Sequence, residues 1–372
     1  MTSKDFFNNI IEHYEKELPF VAYSMPNTFE INAVLQKDNT LYKIENFEES
    51  GFVFSPFDIR KDAIIIPYSK SRKLLTLDDV IVEKPEVIDS EIINNKAQHI
   101  ALVSKGINTI NETNLEKVVL SRTETVHLSK SNPIASFKRL LNTHNSAFVY
   151  CWYHPNVGLW LGATPETLLN VERNRFSTMA LAGTQDYKGT LEVEWNDKEK
   201  DEQNFVTDYV KDVLNPFVEN IEFSETKTVK AGELLHLRTD IQGQLKTGTN
   251  SMQKLILTMH PTPAVCGFPK REAMQFIFDN EDYNREFYTG FLGELNKETK
   301  IQPRSGRRNI ENRAYGYQKR STHLFVNLRC MKLQDSKAVL FVGGGITKDS
   351  NSEDEWNETI NKTNTIKSVI VF

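Results

Sequence analysis

The segment Lys117-Val118-Val119-Leu120-Ser121-Arg122 reads as a strand, and it opens the run of strands that decides the fold class. Residues 147–153 and 158–162 flank a His154-Pro155-Asn156 turn and predict a hairpin. Residues 167–171 and 176–182 predict a second across Arg173-Asn174, and 324–331 with 338–342 a third. Between them the period changes. Asp197–Leu214 carries Val206, Tyr209, Val210, Val213 and Leu214 at helical spacing. Helices are also expected over Met252–Met259 and after Pro269, where proline suits the first helical position. Antiparallel strands interleaved with a few long helices predict an α+β fold, one unit built from two sheet-rich halves.

Upstream, Ser3 is placed to cap a helix carrying Phe6, Phe7, Ile10, Ile11 and Tyr14. Short strands are expected at 41–44, 51–54 and 63–67, and the polar stretch 75–110 reads as helical in its second half. No internal repeat and no linker rich in Gly, Ser or Pro marks a boundary. The chain is therefore read as one domain, with 1–110 its N-terminal part and 111–372 its catalytic region.

Bulk properties narrow the function classes. The 372 residues carry 39% hydrophobic and 26% charged residues, an ordinary globular balance. A net charge of −5 argues against nucleic acid or an anionic membrane as partner. Cys151, Cys266 and Cys330 lie far apart, which argues against a disulfide framework or a zinc site and for a reducing compartment. The amphipathic N-terminus and the lack of a long apolar run predict a cytoplasmic protein. The basic stretch 302–320, with Arg304, Arg307, Arg308, Arg313, Lys319 and Arg320, reads as a solvated loop or a phosphate patch.

Several residues could carry chemistry. Ser352 with Glu355 has capping-box spacing, and Glu355, Glu358 and Lys362 then share one face of a last helix. That face is a solvated one, or a site, because Gly343, Gly344 and Gly345 just upstream offer backbone N–H groups to an anion. Carboxylates beside a bound anion suit Mg²⁺, which takes one or two of them with substrate oxygens and water. Glu202 sits at the edge of the buried stripe of the acidic helix. Arg329, read as mid-strand, needs an ion-pair partner or a substrate carboxylate. Lys117 snorkels to solvent or, in a desolvated site, acts as a base. Glu166, after Pro165 at a turn, is an exposed carboxylate or the matching acid.

Together these segments resemble the chorismate-utilising enzymes, which comprise isochorismate, salicylate, anthranilate and aminodeoxychorismate synthases. The motifs run in the family's order: the strand from Lys117, Gly162-Ala163-Thr164-Pro165-Glu166, Ala180-Leu181-Ala182-Gly183-Thr184, and the helix with Glu202. Leu235-His236-Leu237, His260-Pro261-Thr262-Pro263-Ala264-Val265-Cys266-Gly267 and Arg285-Glu286-Phe287-Tyr288-Thr289-Gly290 follow. Asn327-Leu328-Arg329-Cys330 and the glycine-to-helix segment close the series. The resemblance spans roughly residues 115–372.

It implies a single α+β domain of two facing antiparallel-sheet-rich halves with flanking helices and the active site in the cleft between them. It also implies Mg²⁺ held between the ring carboxylate of chorismate and Glu202 and Glu358, with Glu355 beside them. The backbone at Gly183 and Thr184 would meet that carboxylate. Arg329, Tyr288 and the backbone of Gly343, Gly344 and Gly345 would hold the pyruvyl carboxylate, with Lys362 nearby and His236 near the ring. Lys117 stands where the water-adding branch of the family has lysine and the ammonia-using branch glutamine, and Ala182 stands where covalent aminodeoxychorismate synthases have lysine. The resemblance therefore implies an isochorismate synthase acting without a glutamine amidotransferase subunit, as a monomer, with Lys117 as base and Glu166 as acid. Salicylate synthase is the alternative enzyme, and an inactive chorismate-binding protein the alternative of another class. Menaquinone, siderophore and salicylate pathways all use such a product.

Overall fold

The computed structural model describes residues 1–80, 82, 95–128, 132–231, 234–246, 252–301, 317–367 and 369–370. Alternation along the Phe148–His154 strand explains its layering. Phe148, Tyr150 and Trp152 enter an aromatic cluster shared with Phe52, Phe54 and Phe325 of a second sheet. Val149 and Cys151 point the other way, into a cluster with Phe6, Phe7 and Phe137 of two helices. Both faces are buried from Phe148 to Trp152, and that run is apolar or aromatic. Ring contacts staple the sheets together, with Phe148 on Phe325 and Phe54 on Phe287 each at 4.2 Å between centroids.

Among the described residues the strands form two antiparallel sheets, of nine and ten strands. Helices Ser3–Glu15 and Pro133–Thr143 cover the nine-stranded sheet. Asp197–Leu214 and Met252–Met259 cover the ten-stranded one. Lys96–Glu112 and Lys270–Asn280 pack on the apolar face of the Lys117–His127 strand through Val118 and Leu120. The α+β fold of two facing sheets is as the sequence predicts. The first 76 residues are built into both sheets, for Phe20–Ser24 pairs with Phe148–His154 and Gly51–Ser55 with Phe291–Ile301. No described helix is long and apolar enough to cross a membrane.

Four local expectations are corrected. The strand expected over 324–331 is two strands, Tyr317–Val326 in the ten-stranded sheet and Cys330–Gln334 in the other. The chain crosses between sheets at Asn327, Leu328 and Arg329, and Arg329 takes φ 46° to do so. The final hairpin is accordingly Cys330–Gln334 with Lys337–Ile346. Second, the strand expected over 338–342 does not stop before the glycines: Gly343, Gly344 and Gly345 continue the Lys337–Ile346 strand and pair with Ser121, Leu120 and Val119. Third, Thr2 rather than Ser3 caps the first helix, accepting from Asp5 N–H, and Asn351 rather than Ser352 caps the last, accepting from Glu353 and Asp354 N–H. Fourth, Pro269 is the N-cap of its helix and not its first turn.

Of the basic stretch 302–320, residues 302–316 lie outside the described residues. Lys319 pairs with Glu172 at 2.7 Å, and Arg320 donates to the Glu48 carbonyl.

Candidate active site

Two strand-to-strand crossings between the sheets run side by side and carry Glu166 and Arg329. Gly158–Thr164 belongs to the nine-stranded sheet and Thr167–Glu172 to the ten-stranded one, so Pro165 and Glu166 bridge them. Ala163 N–H donates to the Arg329 carbonyl at 3.1 Å, and Val326 N–H to the Glu166 carbonyl at 3.0 Å. A cleft lies beside these crossings, lined from both sheets.

Glu166, His236, Tyr288, Arg329 and the three glycines line this cleft, as do Gly183, Thr184, Glu202, Glu358 and Lys362. Two residues named from sequence do not. Lys117 has no exposed surface and sits behind Glu202, its Nζ 2.8 Å from Glu202 Oε1. Glu355 is buried behind Gly344, where a methyl group would come 3.2 Å from its Oε2 and 3.6 Å from Glu358 Oε1.

Each functional side chain has an identifiable support. Glu202 is held at the cleft edge because Gln203, next to it on the helix, is buried and donates to the Ala180 carbonyl and Thr239 Oγ1. Its second oxygen accepts from Gly183 N–H at 3.2 Å, with Gly183 at φ 69°. Gly345 leaves space for it: a Cβ there would lie 2.5 Å from Glu202 Oε1. Lys362 donates to the Gly343 carbonyl and pairs with Glu358 at 2.6 Å. The cleft is thus edged by two lysine–glutamate pairs.

Arg329 donates Nη1 to the Ala231 carbonyl and Nη2 to His236 Nε2, both at 2.9 Å. A guanidinium has no acceptor and a carbonyl no proton. His236 Nδ1, 2.8 Å from the Gly183 carbonyl, must therefore carry the imidazole proton. Burial, then the Arg329 charge, pushes His236 down to about 3, so it is a neutral brace for Arg329. Burial alone lowers Arg329 to about 10, which leaves it charged at neutral pH. Burial also raises the Tyr288 phenol, which stays protonated.

Glu166 is 4% exposed, and burial pushes its carboxyl up to about 8 against the opposing pull of Lys117. It is mostly protonated at pH 7. The arrangement therefore offers a cation and a neutral imidazole on one side, a carboxylic acid on another, and carboxylates at the glycine strand. It can bind an anion, hold a divalent cation and donate a proton. Sequence reasoning missed the Arg329–His236 brace and the Lys117–Glu202 pair, because both join residues about 90 positions apart.

Residues 63–305 match a family model described as chorismate binding enzyme, and residues 314–368 match a second of the same description. The chain belongs to the chorismate-binding enzymes. It is 26% identical over 295 residues to isochorismate synthase EntC of Escherichia coli (strain K12), covering 76% of this chain and 69% of that one. It is 28% identical over 283 residues to isochorismate synthase DhbC of Bacillus subtilis (strain 168), covering 71% and 65%. The solved structure of MenF, the menaquinone-specific isochorismate synthase from Escherichia coli, has the same fold, with TM-score 0.74 and 20% identity over 94% of this chain and 88% of that one. The family read from the motifs is borne out.

Proposed function

We propose that this protein is a Mg²⁺-dependent isochorismate synthase that converts chorismate reversibly to isochorismate. The observation that carries the reading is a buried carboxyl, Glu166, lining the same cleft as Glu202, whose partner behind it is Lys117. One water adds at C2 and the C4 hydroxyl departs as water, so the atoms balance without a co-substrate. For this role Lys117 must leave Glu202 and shed its ammonium proton; the neutral amine then takes the proton from the attacking water, and Glu166 gives its proton to the leaving oxygen. Arg329, braced by His236, holds the pyruvyl carboxylate with Tyr288, and the pose so fixed supplies much of the rate. Lys117 in place of an ammonia-branch glutamine favours water as nucleophile.

The donor set fits a magnesium site. Glu202 and Glu358 both line the cleft at adjacent glycines, with Glu355 behind them. Mg²⁺ bound there would neutralise the ring carboxylate. Among the described residues no cluster of three His, Cys, Asp or Glu groups is drawn together; the proposed ion would be held by two carboxylates, substrate and water. Glu202→Gln and Glu358→Gln should each raise the Mg²⁺ concentration for half-maximal activity by tenfold or more. A wild-type metal titration in both variants would remove these ligands.

The proton on Glu166 sets the pH dependence. Its raised pKa leaves the donor present below about 8 and removes it as pH rises further. kcat/KM should fall about tenfold per pH unit on that alkaline limb. Glu166→Gln should abolish the limb while lowering the rate, and an unchanged profile in that variant would assign the limb to another group.

The deciding experiment is a product assay with purified protein, chorismate and Mg²⁺, with and without ammonia. Isochorismate in equilibrium with chorismate, without pyruvate, supports the reading. Salicylate with stoichiometric pyruvate makes the protein a salicylate synthase, and no turnover makes it a chorismate-binding protein.

A further inference from the structure

Resting on that reading, we infer that Arg285 is a positioning residue that fixes three walls of the cleft relative to one another. The accounting starts from an incomplete ladder. Gly267–Phe268 pairs with Lys117 and Val118 only, so beyond Val118 that edge of the Lys117–His127 strand has no strand partner among the described residues. Val119 N–H still donates to the Cys266 carbonyl at 2.8 Å, and side chains serve the rest. The Val119 carbonyl accepts from Arg285 Nη2 at 2.6 Å, and Ser121 N–H and Oγ donate to Glu281 Oε1 at 2.8 and 2.7 Å.

Every donor of the Arg285 guanidinium is used. Nε and Nη2 meet the two Glu281 oxygens at 2.7 and 2.6 Å, a planar fork that cancels the charge. The second Nη2 hydrogen goes to Val119, and Nη1 serves the Val265 carbonyl at 3.1 Å and Thr289 Oγ1 at 3.3 Å. Five donors thus meet five acceptors, in a side chain 2% exposed. Val119, Val265 and Thr289 come from three separate segments, and all three line the cleft.

Each anchored segment bears on the proposed chemistry. Val119 lies two residues beyond Lys117 on the same strand face. Thr289 follows Tyr288, whose N–H is bonded to the Arg285 carbonyl at 2.8 Å. Arg285 therefore sets the spacing between the strand of the base and the wall of the pyruvyl clamp, though it does not itself line the cleft. A lysine has three donors at one point and cannot reproduce the fork.

The test compares kcat and KM for chorismate in wild type, Arg285→Lys and the doubly neutral Arg285→Gln/Glu281→Gln, well below each melting temperature. Arg285→Lys should fold, keep KM within about threefold and lose about 10- to 100-fold in kcat, the scale of sub-ångström to 1 Å misplacement. The double variant, which buries no lone carboxylate, should show the same split. Wild-type kcat in folded Arg285→Lys, or failure of both variants to fold, would overturn the assignment by confining Arg285 to folding. Wild-type protein assayed in parallel keeps the two ideas apart: absence of isochorismate there overturns the functional reading instead.

Discussion

Lys117→Ala should abolish isochorismate formation, with turnover down by about 10²–10⁴-fold, the span for a lost general base. Lys117 is the one wholly buried lysine among the described residues, and its ammonium reaches Glu202 rather than water. In the proposed role that ion pair must open and the amine must be neutral when water attacks. Truncation to alanine removes the amine that meets Glu202 Oε1. The fold should survive. Breaking a sealed ion pair costs about 3–5 kcal/mol, but the Glu202 side chain is 18% exposed and keeps the Gly183 N–H, so the loss should be smaller. Chromatographic product analysis with a thermal melt checks both points. Turnover within tenfold of wild type would remove Lys117 as the base.

Gly345→Ala should disable the enzyme while leaving its stability nearly untouched. The new methyl group would sit 2.5 Å from Glu202 Oε1 and 3.0 Å from Lys117 Cε. Both contacts are with the far ends of long side chains, which can move at little cost to the fold. They also belong to the two partners of the Lys117–Glu202 ion pair, so the movement that relieves the clash displaces the site. A shift of about 1 Å there should cost on the order of 10²-fold in kcat. Gly243→Ala is the opposite case, since a Cβ there would meet the Asn220 carbonyl oxygen at 2.1 Å, a backbone atom that cannot yield cheaply. It should lower the melting temperature without a specific kinetic signature. A Gly345→Ala protein with wild-type kcat would mean that Glu202 need not stand where the structure has it.

Much of the fold was legible before any coordinates. The hairpins at 147–162 and 167–182 and the helix Asp197–Leu214 fall where alternation and helical spacing put them. Glu202 stands at the edge of its helix's buried stripe as read. Arg329 was misread as mid-strand because apolar residues alternate through Leu324, Val326, Leu328 and Cys330 without a break. The residues next to the crossing, Leu324 to Val326 and Cys330 to Met331, are buried on both faces, so alternation carries no mark of the point at which the chain changes sheets. The glycine strand was misread for a related reason: its partner is the Lys117–His127 strand, more than 200 residues away, and no local pattern announces it.

By itself the sequence determined the fold class, most elements and the family, because periodicity and motif order are properties of the chain alone. Only the tertiary structure decided which charges meet. Lys117 with Glu202, Arg329 with His236, and Arg285 across three segments are contacts between elements far apart in sequence. Burial in that cleft raises Glu166 and lowers His236. A residue's type sets what proton chemistry it can do; its desolvation and its neighbours, which only packing supplies, set which form it holds at neutral pH.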